Sequence, residues 1–90
     1  MQGMTTHTSH PQIIARLKRA NGHLQKIIAM LEEERGCLDI AQQLQAVEKA
    51  IVNAKKTLVH DHVDHCLEHA VNGETTAEAI AEFKAITKYL

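Results

Sequence analysis

Apolar residues recur at helical spacing in three separate stretches of this 90-residue chain. In the first stretch Ile13, Leu17, Ala20, Leu24, Ile27 and Leu31 alternate in steps of four and three, which draws one seam along a helix for a partner helix to cover. Ser9, Pro11 and Gln12 supply start chemistry: a hydroxyl that can cap, a proline suited to the first turn and a glutamine in the reciprocal capping position. The pattern predicts a first helix over 11–34, stopped by Gly36. Residues 37–71 hold no glycine and no proline, and Leu44, Val47, Ile51, Ala54 and Leu58 keep the same spacing, so one long second helix is expected. Asn72 and Gly73 end it. Thr75 and Glu78 form a capping-box signature for a short third helix whose Ile80, Phe83 and Ile86 face inward. Residues 1–9 are polar and read as a flexible arm, with Met4 a candidate natural start, ahead of a single domain over 10–90. There is no internal repeat and no low-complexity segment.

Composition sharpens this reading. One proline, four glycines and two aromatic residues, set against abundant Ala, Leu, Ile, Glu, Lys and Gln, favour helices over sheets, so the fold class is all-α. A lone domain of this size buries a modest fraction of its surface, and association with further copies is the expected source of added stability. No apolar run approaches the roughly 20 residues needed to cross a bilayer. The N-terminus lacks the basic-then-apolar order of a signal peptide, and the expected compartment is the cytoplasm. Thiols stay reduced there, so Cys37 and Cys66 read as free thiols, metal ligands or redox-active groups rather than a structural disulfide. Seven histidines strengthen the metal reading. The net charge of −1 conceals an asymmetry: Arg16, Lys18, Arg19 and Lys26 fall in residues 1–31, which contain no acid, whereas 61–82 is rich in acids.

The chemistry concentrates in the second helix. His62 and Cys66 stand four apart, so they project from one face about a turn from each other, a spacing that grips a single ion. Continuing the seam by fours from Leu58 reaches both residues. Cys37 is the natural third donor, yet it lies 25 positions before His62, about 37 Å away along a continuous helix. One chain cannot close this site with itself. If two copies of the long helix pair antiparallel about a two-fold axis near Ala50 and Ile51, Cys37 of one chain meets His62 and Cys66 of the other, and two equivalent sites result. Two sulfurs and an imidazole suit three-coordinate Cu(I), while a fourth nitrogen would suit planar Ni(II) or tetrahedral Zn(II). His7 and His10 lie where an arm can fold over the site. His60, His65 and His69 fall off the Leu58 seam and read mainly as solvated or supporting groups. A His and a Cys on an apolar seam are often only packed residues; it is the three-residue set that favours ligation.

The order and spacing of these residues resemble the CsoR/RcnR/FrmR family of metal- and aldehyde-responsive repressors. The resemblance rests on RLKRANGH over 16–23, CLDIAQQLQAVEKAI over 37–51 and DHVDHC over 61–66. It implies a three-helix protomer, antiparallel helix pairing into a four-helix-bundle dimer, and a dimer of dimers that binds operator DNA without a helix-turn-helix and releases it when metal binds. It implies Cys37, His62 and Cys66 as the ligands of the copper-sensing branch and Glu82 as a carboxylate that hydrogen-bonds the ligating histidine. Gly36 departs from the copper branch, which can carry a tyrosine there. Nickel and cobalt sensors of the family can add an N-terminal histidine; at the matching register this chain has Thr5, with His7 two places on. The formaldehyde and persulfide branches fit poorly, the first lacking the third-position Cys and the second the His.

DNA contacts are expected from Arg16, Lys18 and Arg19 on the first helix and Lys49, Lys55 and Lys56 on the second, because duplicated across a tetramer they form a broad positive face. Arg16 and Arg19 also match basic positions of the family, whereas Glu48 replaces a base that some members carry. The expected function is a metal-responsive DNA-binding repressor released by Cu(I), with a Ni(II)- or Co(II)-responsive repressor using His7 as the alternative. A metal buffer without regulatory output and a thiol switch joining Cys37 to Cys66 of another chain are further alternatives. An enzyme is not expected, since there is no Gly-rich phosphate loop and no nucleophile, base and orienting-group pattern.

Overall fold

The computed structural model describes residues 9–73 and 76–90. Three helices, α1 (His10–Glu32), α2 (Cys37–Val71) and α3 (Ala77–Ile86), are followed by a single 3₁₀ turn, Thr87–Tyr89. The expected all-α, three-helix protomer is what the chain forms, and among the described residues there is no strand. The lack of any glycine or proline in α2 leaves 35 residues in one unbroken helix.

α1 and α2 make an antiparallel hairpin, because their side-chain contacts run in opposite order along the two helices. Ser9 Oγ donates to Asp61 Oδ2 at 2.8 Å, Arg16 Nη1 reaches Thr57 Oγ1 at 3.5 Å, and His23 Nε2 lies 2.6 Å from Gln43 Oε1. A carbonyl oxygen only accepts, so the His23 bond requires its proton on Nε2. The Ser9 contact differs from the expected cap: its hydroxyl makes no bond to the first turn of α1. The carboxylate of Asp61 takes it instead, since a bond to a charged acceptor is stronger than one to a neutral amide partner.

The predicted seam divides in two. Ile13, Ala20 and Ile27 on α1 and Ile40, Val47 and Ala54 on α2, each set spaced by seven, are buried together with Met30 and Val59. Ile27, Met30, Ile40 and Val47 form the contiguous core, with Ile27 1% exposed. The alternate seam positions, Leu17, Leu24 and Leu31 with Leu44, Ile51 and Leu58, remain 39–56% exposed. A two-helix hairpin can cover one side of a four-three seam and leaves the other side exposed.

The turns also depart from expectation. α1 ends before Gly36, at Glu32, and the left-handed residue is Glu34 with φ 58°. Glu34 N donates to Leu31 O and Arg35 N to Met30 O, both at 3.0 Å, the paired bonds of a Schellman stop. Gly36 instead has φ −61° and ψ 140° and precedes α2 as its N-cap residue. At the far end of α2, Gly73 takes φ 76° as the sequence predicts, its N–H reaching Ala70 O at 3.1 Å. Thr75, the expected cap of α3, lies outside the described residues; Thr76 occupies the cap, and its Oγ1 accepts from Ala79 N at 3.0 Å. On α3 Phe83 and Ile86 are half-buried, but Ile80 is 46% exposed, because the one stretch of α2 opposite it leaves its outer side uncovered.

Candidate metal centre

α2 outruns α1, and α3 folds back on the segment beyond. This exchange of neighbours surrounds His62 and Cys66. The His62 side chain is 18% exposed, and its Nε2 is buried 3.4 Å from Glu82 Oε2 on α3, an ion-pair distance without hydrogen-bond alignment. Cys66, one turn on, is half-buried and free. Burial pushes its thiol above the ordinary value of 9.0, and the negative Glu82 carboxylate adds to the shift. A cation beside Cys66 would oppose both effects, since it favours the sulfur anion and compensates the carboxylate. A cavity of about 340 Å³ opens between α2 and α3, with His62, Cys66, Glu82 and Phe83 in its lining.

Cys37 is exposed in the first turn of α2. The unbroken helix keeps it about 37 Å from His62. Among the described residues, no three His, Cys, Asp or Glu side chains of one chain converge as a metal cage. The structure therefore places His62, Cys66 and Glu82 around one cavity without forming a cage, and leaves Cys37 apart. His7 lies outside the described residues. His10 is the first residue of α1, beside the Ser9 contact to Asp61 that joins the start of α1 to the turn of α2 carrying His62.

Two sulfurs and one imidazole are donors that soft and borderline metal ions accept, so the residue set fits a thiophilic cation. Reading along the sequence misses the Ser9 to Asp61 bond and the placement of Phe83 over the site. The first depends on the register of the hairpin. The second is partly legible, since the spacing puts Phe83 on the inward face of α3 but does not name what it faces.

The basic candidates separate as well. Arg16, Arg19 and Lys56 line one cleft between α1 and α2, with His23, Asn53 and Thr57 beside them. Lys18, Lys49 and Lys55 are exposed and do not line it. His23 is not among the sequence candidates, and the signal for it is its spacing: it lies seven residues after Arg16 and thus on the same helical face.

A model of the family described as metal-sensitive transcriptional repressor matches residues 9–89. The copper-sensing transcriptional repressor CsoR of Bacillus subtilis (strain 168) is 40% identical over 81 residues, covering 86% of this chain and 80% of that protein. The copper-sensing transcriptional repressor CsoR of Mycobacterium ulcerans (strain Agy99) is 38% identical over 74 residues, covering 82% of this chain. The match spans 63% of that mycobacterial protein, slightly under two thirds of its length. Among solved structures, the nickel-responsive transcriptional regulator InrS superposes with a TM-score of 0.80 at 26% identity, covering 94% of this chain and 97% of that one.

Proposed function

Because the chain belongs to the family of metal-sensitive transcriptional repressors, which are not enzymes, we propose that it is a Cu(I)-responsive repressor whose sensing sites lie between subunits. Cys37 of one chain joins His62 and Cys66 of another. The observation that carries this reading is the single helix Cys37–Val71, which holds the donor at its start far from the pair near its end. The uncovered strip of Leu17, Leu24, Leu31, Leu44, Ile51 and Leu58 supports the same arrangement, since a second hairpin laid against it completes a four-helix bundle. The copper-sensing relatives favour Cu(I).

Bound Cu(I) supplies a link between two subunits. The residues of the chain do the rest: Glu82 orients the His62 ring, Cys66 gives up its thiol proton, and Cys37 fixes the neighbouring chain. Arg16, Arg19 and Lys56 meet DNA phosphates in the unloaded state, with Lys18, Lys49 and Lys55 as outer contacts. Two dimers form a homotetramer that spreads these contacts over the operator. A repressor of this kind works in the cytoplasm, and no described helix is long and apolar enough to cross a membrane.

A Ni(II)- or Co(II)-responsive repressor is the second reading. It is supported by the likeness to the nickel-responsive regulator, and His7 is its proposed additional donor. Operator titrations with and without Cu(I) and Ni(II) test both. Coupling of about 1 to 3 kcal/mol weakens DNA binding roughly 5- to 150-fold with the cognate ion. Unchanged DNA affinity with both ions rejects the mechanism and leaves a metal buffer.

A further inference from the structure

His65 and His69 line the same cavity as His62, Cys66 and Glu82 but are not among the intersubunit ligands proposed above. They stand four apart on α2, and their ring centroids are 4.5 Å apart with the planes tilted by 57°. Two imidazoles bonded to one ion at about 2.1 Å place their centroids roughly 4.5 to 5 Å apart, a separation compatible with the one between these rings. Both line the cavity between α2 and α3, where Ile80 and Phe83 form the opposite wall. Its volume of about 340 Å³ leaves space for an ion and the waters that complete its coordination. Around the helix the mean direction of the pair lies roughly 60° from that of His62 and Cys66, so the two donor sets border the same cavity from neighbouring directions.

We propose that His65 and His69 form a second, thiol-free metal site for a borderline divalent cation of the Zn(II) and Ni(II) class. Imidazole nitrogens suit such ions, whereas a site without sulfur gives Cu(I) no advantage. The chain can then hold a divalent ion while its cysteines serve another. This assignment does not depend on which metal the intersubunit site prefers.

Zn(II) is the probe. A full-length Cys37→Ser/Cys66→Ser protein should bind one Zn(II) per chain by calorimetry, with the imidazole nitrogen signals of His65 and His69 shifting together by NMR. Adding His65→Ala and His69→Ala should weaken that binding more than about tenfold, while His60→Ala leaves it unchanged. As a second measurement, the wild-type chain preloaded with Cu(I) should take up a further Zn(II) that the His65→Ala/His69→Ala protein does not. The assignment is overturned if Zn(II) uptake survives in the double-histidine variant, or if His62→Ala alone abolishes it.

Discussion

His62 Nε2 on α2 stands 3.4 Å from Glu82 Oε2 on α3, an ion-pair distance between an imidazole and a carboxylate. Loss of such a supporting carboxylate costs roughly 10- to 100-fold in metal affinity. Glu82→Gln should weaken Cu(I) binding by that factor and leave far-UV helicity unchanged, because Glu82 is itself exposed. Unaltered affinity in a chelator competition would separate Glu82 from the metal.

Ile27 and Leu24 lie three residues apart, the first in the core of the hairpin and the second on its uncovered strip. Ile27→Ala should lower folding stability by about 2 to 5 kcal/mol, as for other buried aliphatic truncations. Leu24→Asp, on the uncovered strip, should instead dissociate the oligomer while the hairpin stays helical. Sedimentation of Leu24→Asp at micromolar concentration as an intact dimer would place the subunit contact elsewhere.

Glu34 adopts φ 58°, a conformation that a side chain disfavours by about 1 to 2 kcal/mol and glycine accepts freely. Glu34→Gly should therefore stabilise the fold by up to about 1 kcal/mol after the greater freedom of unfolded glycine is counted. Glu32→Gly, within α1, should destabilise it by a similar amount. A lower melting temperature for Glu34→Gly would contradict the turn.

Cys66 and Cys37 should differ in alkylation. Cys37 is exposed, whereas Cys66 is half-buried with its thiol value raised above 9.0 by burial and by Glu82. Labelling at Cys66 should be the slower of the two near neutrality. Its rate should keep rising above pH 9, where the thiol of an unfolded chain levels off. The same shift favours the protonated thiol in the fold, so its contribution to stability is present below pH 9 and is lost as pH climbs through the raised value. Cu(I) should protect both residues. Equal rates at both residues across this range would refute the placement of Cys66.

The parts of this architecture visible in the chain are those set by local rules. The extent of α2 follows from an interval without glycine or proline, and His62 and Cys66 share a face because four residues make about one helical turn. What stayed hidden depends on partners distant in sequence. Gly36 looked like the stop of α1, but the Schellman bonds close two residues earlier on Glu34. Ser9 looked like a cap until Asp61, 52 positions away, took its hydroxyl. The grouping of Arg16 with Lys56, apart from Lys18, Lys49 and Lys55, follows from the register of the α1–α2 hairpin. Periodicity traces a seam but does not say which half of it a chain fills with its own residues.

An uninterrupted α2 also behaves as a lever. Its 35 residues span about 52 Å. A tilt of about 5° at His62, with no internal bend to absorb it, carries Cys37, about 37 Å away, by roughly 3 Å, about the length of a hydrogen bond. A slight change of angle at one end can therefore break contacts made at the other.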